Sequence, residues 1–127
     1  MANFDIDYRN LVVHVAPDAA IAESDFSDLE HAIDPLVAQH GAINGLVLEI
    51  SAFPGWESLP ALRRHLRFVR EHHSRVRRVA VVSDDALAKL LEALVAHFVA
   101  AEVRRFDAAA LDQARHWAAQ GAHDVVT

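Results

Sequence analysis

Apolar positions along the chain fall into short β-branched runs separated by stretches of helical period. Residues 5–8 and 11–15 read as strands, with Arg9-Asn10 as a two-residue turn that joins them in a hairpin. Pro17-Asp18 closes the second strand, because proline supplies no ladder donor and presets a turn. Ser24 stands where a helix cap is needed, with Asp25 and Asp28 at the positive end of the dipole. Phe26, Leu29, Ile33, Leu36 and Val37 then form one apolar face. Pro35 removes a helix hydrogen bond and predicts a kink or an end near Asp34; Gly41 is a natural stop.

Gly45 precedes an apolar strand over residues 46–50 whose hydrophobic side chains fall on both faces, as in a sheet covered by helices above and below. Ser58 is a cap for the next helix and Pro60 is tolerated in its first turn. Leu59, Leu62, Leu66 and Val69 mark its buried stripe, while Arg63, Arg64, Arg67 and Arg70 occupy much of the remainder. Residues 79–82 form another strand, and Ser83-Asp84-Asp85 opens a third helix. Leu87, Leu90, Leu91, Leu94, Val95, Phe98 and Val99 cover well over half of that helix, so part of its surface must meet a ligand, another subunit or a membrane. Residues 102–106 read as a last strand, and Asp107 as the cap of a fourth helix buried through Leu111, Ala114, Trp117 and Ala118. The order ββαβαβαβα predicts one α/β domain over residues 1–127, a mixed sheet of about five strands with an N-terminal antiparallel hairpin and four main helices.

A length of 127 residues suffices for one core of its own. The absence of cysteine excludes disulfides, thiolate metal sites and thiol nucleophiles. The N-terminus lacks the pattern of a signal peptide, and the longest weakly charged apolar stretch, residues 90–101, is too short to span a bilayer. These features predict a soluble cytoplasmic protein. Its net charge of -6 is uneven: residues 1–57 hold ten carboxylates against Arg9 alone, whereas seven bases lie between Arg63 and Arg78. A basic patch on an acidic chain predicts a selective anionic partner and not nucleic acid, since its bases have no aromatic interleaving suited to stacking and the overall charge is negative.

Three segments recur together over residues 45–118. They are the strand leading to Phe53, Gly55 and Trp56; the strand Arg78-Val79-Ala80-Val81-Val82 with Ser83-Asp84; and the closing pattern Val103, Phe106-Asp107, Ala114 and Trp117. In this order they resemble the SpoIIAA-like bacterial family, which shares the fold of STAS domains and of lipid-binding CRAL-TRIO domains. The resemblance implies a small cytoplasmic protein able to dimerise, to open its helices over an apolar pocket and to associate with membranes. It implies no established reaction. True anti-sigma-factor antagonists carry an Asp-Ser-Ser-Gly-type phosphorylation motif where this chain has Phe53-Pro54-Gly55-Trp56-Glu57-Ser58, so the likeness does not extend to phosphoregulation at Ser58.

Open α/β sheets collect ligands beyond the carboxyl ends of their strands, which singles out the loop of Phe53 and Trp56. With Leu62, Phe68, Leu94 and Phe98 these residues form a candidate apolar cradle; the competing reading is ordinary core. Arg63, Arg67 and Arg70 are candidates for contact with an anionic surface, against a solvated helix face paired with residues such as Glu71. Nine histidines suggest a metal, but His72 and His73 diverge by about 100° on a helix, and His65 and His72 lie two turns apart. His31 with Asp28 or Asp34 has usable spacing and is a common surface pattern, so no metal or cofactor is assigned. Ser51 and Ser58 near His65 lack a nucleophile elbow, and four glycines build no phosphate loop. The expected function is a noncatalytic binding module for a small apolar or lipid-like ligand, with reversible membrane association. The alternative is a STAS-type interaction or regulatory module, including a homodimer, acting through an apolar helix; a hydrolase around Ser58 and His65 stands third.

Overall fold

The protein is described by a computed structural model over residues 2–52, 54–85 and 100–121. Strands β1 (Ala2–Asp7) and β2 (Val12–Pro17) form the antiparallel hairpin, with Asp5 opposite His14 and Asp7 opposite Val12. Their turn spans four residues instead of the expected two. Arg9-Asn10 has no glycine to supply the left-handed backbone of a tight hairpin, and a side-chain clamp replaces it. Asp7 accepts the backbone N–H groups of Arg9 and Asn10 at 3.1 Å and the Asn10 amide at 2.8 Å, and Leu11 adopts φ 54°. The Asn10 side chain, followed by its backbone N–H, holds the Asp7 carboxyl below the usual range.

Helix α1 (Glu23–His40) begins before Ser24, with Ala22 as the flanking residue. The Asp25 carboxylate accepts the Ala22 N–H at 2.9 Å, so an acid inside the first turn reaches back to the flanking backbone, and no side chain at the cap accepts a first-turn N–H as a serine there would. Helix α1 also passes through Pro35, which lies on an exposed face where water can solvate the freed carbonyl. Its neighbours Ile33 and Leu36 are buried and keep the helix on the sheet. Gly41, at φ 86°, ends the helix by donating its N–H to the Val37 carbonyl.

Strand β3 (Ile43–Glu49) leads through the 50–58 loop to helix α2 (Leu59–His72), capped as expected by Ser58, whose Oγ accepts the Ala61 N–H at 3.2 Å. Strands β4 (Val76–Val82) and β5 (Glu102–Phe106) precede a short 3-10 turn and helix α3 (Leu111–Ala119). Three α-helices are present among the described residues. The expected third helix, opened by Ser83-Asp84-Asp85, falls on residues 86–99 and lies outside them, and the expected fourth is α3. Asp107 does not cap α3 with its side chain, which Arg105 takes at 3.1 Å; Asp84 reaches across to accept the Ala108 N–H at 3.0 Å.

The sheet order is β1-β2-β3-β4-β5, with every pair after the hairpin parallel. Adjacent residues on each central strand therefore serve two cores. On the front, Val13, Val15 and Leu46 meet Phe26, Leu29, Ile33 and Leu36 of α1 and Phe68 of α2. On the back, Val12, Val47, Ala80, Val82 and Phe106 meet Ala114 and Ala118 of α3. Gly45 lies within β3, where the sequence suggests a preceding residue, because α3 crosses it too closely for a side chain. The strand order never reverses, so the sheet lacks the switch-point crevice that made the end of β3 an attractive site.

Candidate functional site

The aliphatic stripe of α2 does not face inward. Ala61, Phe68 and His72 are buried, while Leu59 and Leu66 are 59% and 62% exposed. The α1–α2 seam explains this rotation. Phe68 stacks on His72 with centroids 4.2 Å apart and lies 5.7 Å from Phe26, whose ring also meets His65 at 4.9 Å. Two polar rungs flank the rings: Arg64 binds Glu30, and His72 Nε2 meets Asp34 at 2.9 Å. Aromatic, imidazole and guanidinium groups at positions 64, 65, 68 and 72 share the leucines' helical period, and they make the contacts with α1. Leu59 and Leu66 are left outward beside the exposed Arg63, Arg67 and Arg70, with Leu62 and Val69 half-buried on one flank.

The loop after β3 is tied to the segment before α1. Ile21 donates to the Gly55 carbonyl and Glu57 to the Ile21 carbonyl, both at 2.8 Å, and Gly55 takes φ 77°. This sets Trp56, 37% exposed, above α2, where its indole N–H donates to His65 Nδ1 at 3.0 Å. An indole only donates, so Nδ1 carries the lone pair and His65 is neutral in this arrangement. Burial lowers its pKa. An unfolded histidine takes up its proton below about pH 6.5, whereas folded His65 resists. Stability is therefore fully present above that pH, falls as pH drops through the interval down to the lower folded value, and then levels. His65→Gln, which accepts the indole bond without titrating, should flatten the decline in urea-unfolding free energy between pH 7 and 5; an unchanged slope would refute the assignment.

Of the six cradle candidates, Phe53, Leu94 and Phe98 lie outside the described residues. Phe68 belongs to the front core, Leu62 is half-buried, and Trp56 reaches the Phe68 neighbourhood through His65 and Phe26. The suggested Ser58–His65 pair is engaged otherwise: the serine caps α2 and His65 Nδ1 holds Trp56. Glu30, Asp34 and His72 bring one potential ligand atom each within 4.8 Å of one another. Arg64 already takes Glu30, and Asp34 and His72 bond each other, so this trio is a paired polar seam.

The sequence reading missed a groove of about 560 Å³ on the back of the sheet, lined in part by Asp5, Asp7, His14 and Arg115. Glu49 accepts from His14 Nε2 at 2.9 Å while Arg115 donates to His14 Nδ1 at 2.7 Å and lies 3.9 Å from Asp5. A guanidinium cannot accept, so both ring nitrogens of His14 are occupied and neither is poised as a base. Alternation along β2 and β3 puts His14 and Glu49 on the same face as Val12 and Val47, and that signal was available. Arg115 arrives from α3 with no local clue.

Two of the three segments that carry the family resemblance meet at β4, β5 and α3. Arg78, buried on β4, lies 4.7 Å from the Trp117 ring centroid, donates to the Trp117 carbonyl at 2.9 Å and pairs with Glu102 at 3.2 Å. Phe106 meets the same ring at 5.7 Å, and Arg105 donates to the Ser83 carbonyl at 2.9 Å. A family model described as SpoIIAA-like matches residues 12–119. The chain belongs to the SpoIIAA-like family. Its fold is similar to that of an uncharacterized protein of the DUF3478 family with a SpoIIAA-like fold from Shewanella loihica PV-4, at TM-score 0.74 and 16% identity, covering 92% of this chain and 91% of that one. No curated protein matches the chain. In this SpoIIAA-like protein the contacts of Arg78, Phe106 and Trp117 brace α3 against the back of the sheet. No described helix is long and apolar enough to cross a membrane.

Proposed function

We propose that the protein is a noncatalytic module that binds a lipid-like, anionic partner and docks reversibly on membrane surfaces through the outward face of α2. The observation that carries this reading is the pairing of Leu59 and Leu66, both more than half exposed, with Arg63, Arg67 and Arg70 on one helix face. Leucines entering the acyl boundary gain burial energy while the guanidiniums meet anionic headgroups. Trp56, half-exposed at the adjoining loop, adds an amphipathic ring of the kind that favours an interface.

Flotation with anionic and neutral vesicles tests the proposal. Binding should need anionic lipid and fall with added salt. Arg63→Gln combined with Arg70→Gln should weaken it roughly thirtyfold, from about 1 kcal/mol per basic residue. Salt-independent binding to neutral vesicles, or no binding to either, would reject the electrostatic half of the reading.

A second reading is a protein-interaction or regulatory module of the STAS type. Leu59 and Leu66 lie seven residues apart with Leu62 and Val69 between and beyond them, a spacing suited to a seam between helices of two copies. Sedimentation equilibrium distinguishes it: a stable dimer dissolved by polar substitution of both leucines favours the seam.

A further inference from the structure

We infer that the cleft between the start of α1 and the first turns of α2 is an oxyanion site for a phosphate-monoester group, held by Arg63, Arg64 and Arg67. The cleft, of about 280 Å³, is lined by these three arginines with Glu23 and Pro60. Arg64 is the anchor. Its side chain is only 10% exposed, and Glu30 on α1 takes one edge of the guanidinium through Nη2, fixing the group at the cleft wall. Its Nη1 is buried with no hydrogen-bond acceptor among the described residues, an unmet donor on a side chain that lines the cleft.

The other two arginines are open to a ligand. Arg63 forms no ion pair among the described residues. Arg67 pairs only loosely with Glu71, at 3.7 Å between two half-exposed side chains, a contact that contributes little. Glu30 holds one edge of Arg64 and Glu71 pairs only loosely with Arg67, so the forks of Arg63 and Arg67 are left to take the oxygens of a tetrahedral group, which presents more of them than a carboxylate does. Inorganic phosphate and a lipid phosphomonoester present the same oxygens, so either can fill the cleft. The inference deepens the surface reading above by naming what the arginine face takes, and free phosphate tests it separately from membranes.

Isothermal titration of the full chain with inorganic phosphate, at ionic strength fixed with chloride, should show one saturable site. Arg63→Gln, at an exposed position, should weaken it about tenfold or more, as should Arg64→Lys, which keeps the charge and loses the fork. Arg75→Gln, of equal charge change outside the cleft, should leave it intact. Equal weakening in all three variants, or no saturable binding, overturns the inference; an unaltered thermal melt for Arg63→Gln keeps the comparison free of folding effects. Vesicles carrying phosphatidic acid, compared with phosphatidylserine at matched charge, identify the source. A preference for the former that Arg63→Gln abolishes supports a headgroup, and equal flotation with intact phosphate titration supports a soluble phosphate. Flotation without phosphate titration sinks the cleft and spares the surface reading; titration without flotation does the reverse.

Discussion

Gly45→Val is expected to destabilise the protein by about 3 kcal/mol, the upper part of the usual range for overpacking. A Cβ at residue 45 would lie 2.4 Å from the Ala118 Cβ, 2.7 Å from its carbonyl oxygen and 2.9 Å from its carbonyl carbon. Two of those three atoms are backbone, so no rotamer change relieves the overlap and α3 must lift from the sheet. Lifting it separates Ala114 and Ala118 from Val47, Ala80 and Val82, and it pulls Trp117 from Arg78. Urea unfolding checks the loss. The milder Gly45→Ala should be only partly rescued by Ala118→Gly, because that change removes the methyl group and leaves the carbonyl. Full rescue would mean that the methyl contact alone sets the helix height, contrary to the geometry.

Replacing Leu59 and Leu66 together by serine should weaken flotation on anionic vesicles by roughly a hundredfold or more, taking about 1.5–3 kcal/mol for each leucine buried in the acyl boundary. Folding stability should stay within about 0.5 kcal/mol, as for surface substitutions generally, because neither side chain belongs to a core cluster. The two measurements move in opposite ways for the competing placement. If these leucines pointed inward, as helical period alone suggests, the double substitution would cost several kcal/mol of stability. Unchanged flotation with unchanged stability would remove α2 from the proposed contact.

Why the sequence misplaces these leucines is instructive. Periodicity locates a helix and its length, and α2 begins at Ser58 as read, but two stripes of α2 share that period. One is aliphatic. The other, through Arg64, His65, Phe68 and His72, finds its partners in Glu30, Phe26 and Asp34 on α1, and pairings across 34 and 38 residues leave no local trace. The same limit hides the Arg115–His14 contact, whose partners are 101 residues apart. Strand existence, the hairpin and the parallel pairing were legible because β-branched runs and helical crossovers are local signals. Register was less so: β3 starts at Ile43, and Gly45 looks like punctuation until the proximity of Ala118 shows why a strand would hold it. Pro35 misleads for the opposite reason, since burial on both sides of it outweighs one missing bond.

Because each strand joins the one made just before it, the sheet can be laid down as the chain emerges from the ribosome, every new row finding its place on the previous row with only short-range closures. The exception is the final helix, which must reach back over strands already assembled. Until it arrives, Val47, Ala80 and Val82 lack Ala114 and Ala118, their helical cover among the described residues, and a nascent chain halted after β5 would carry an apolar surface that a holdase could recognise.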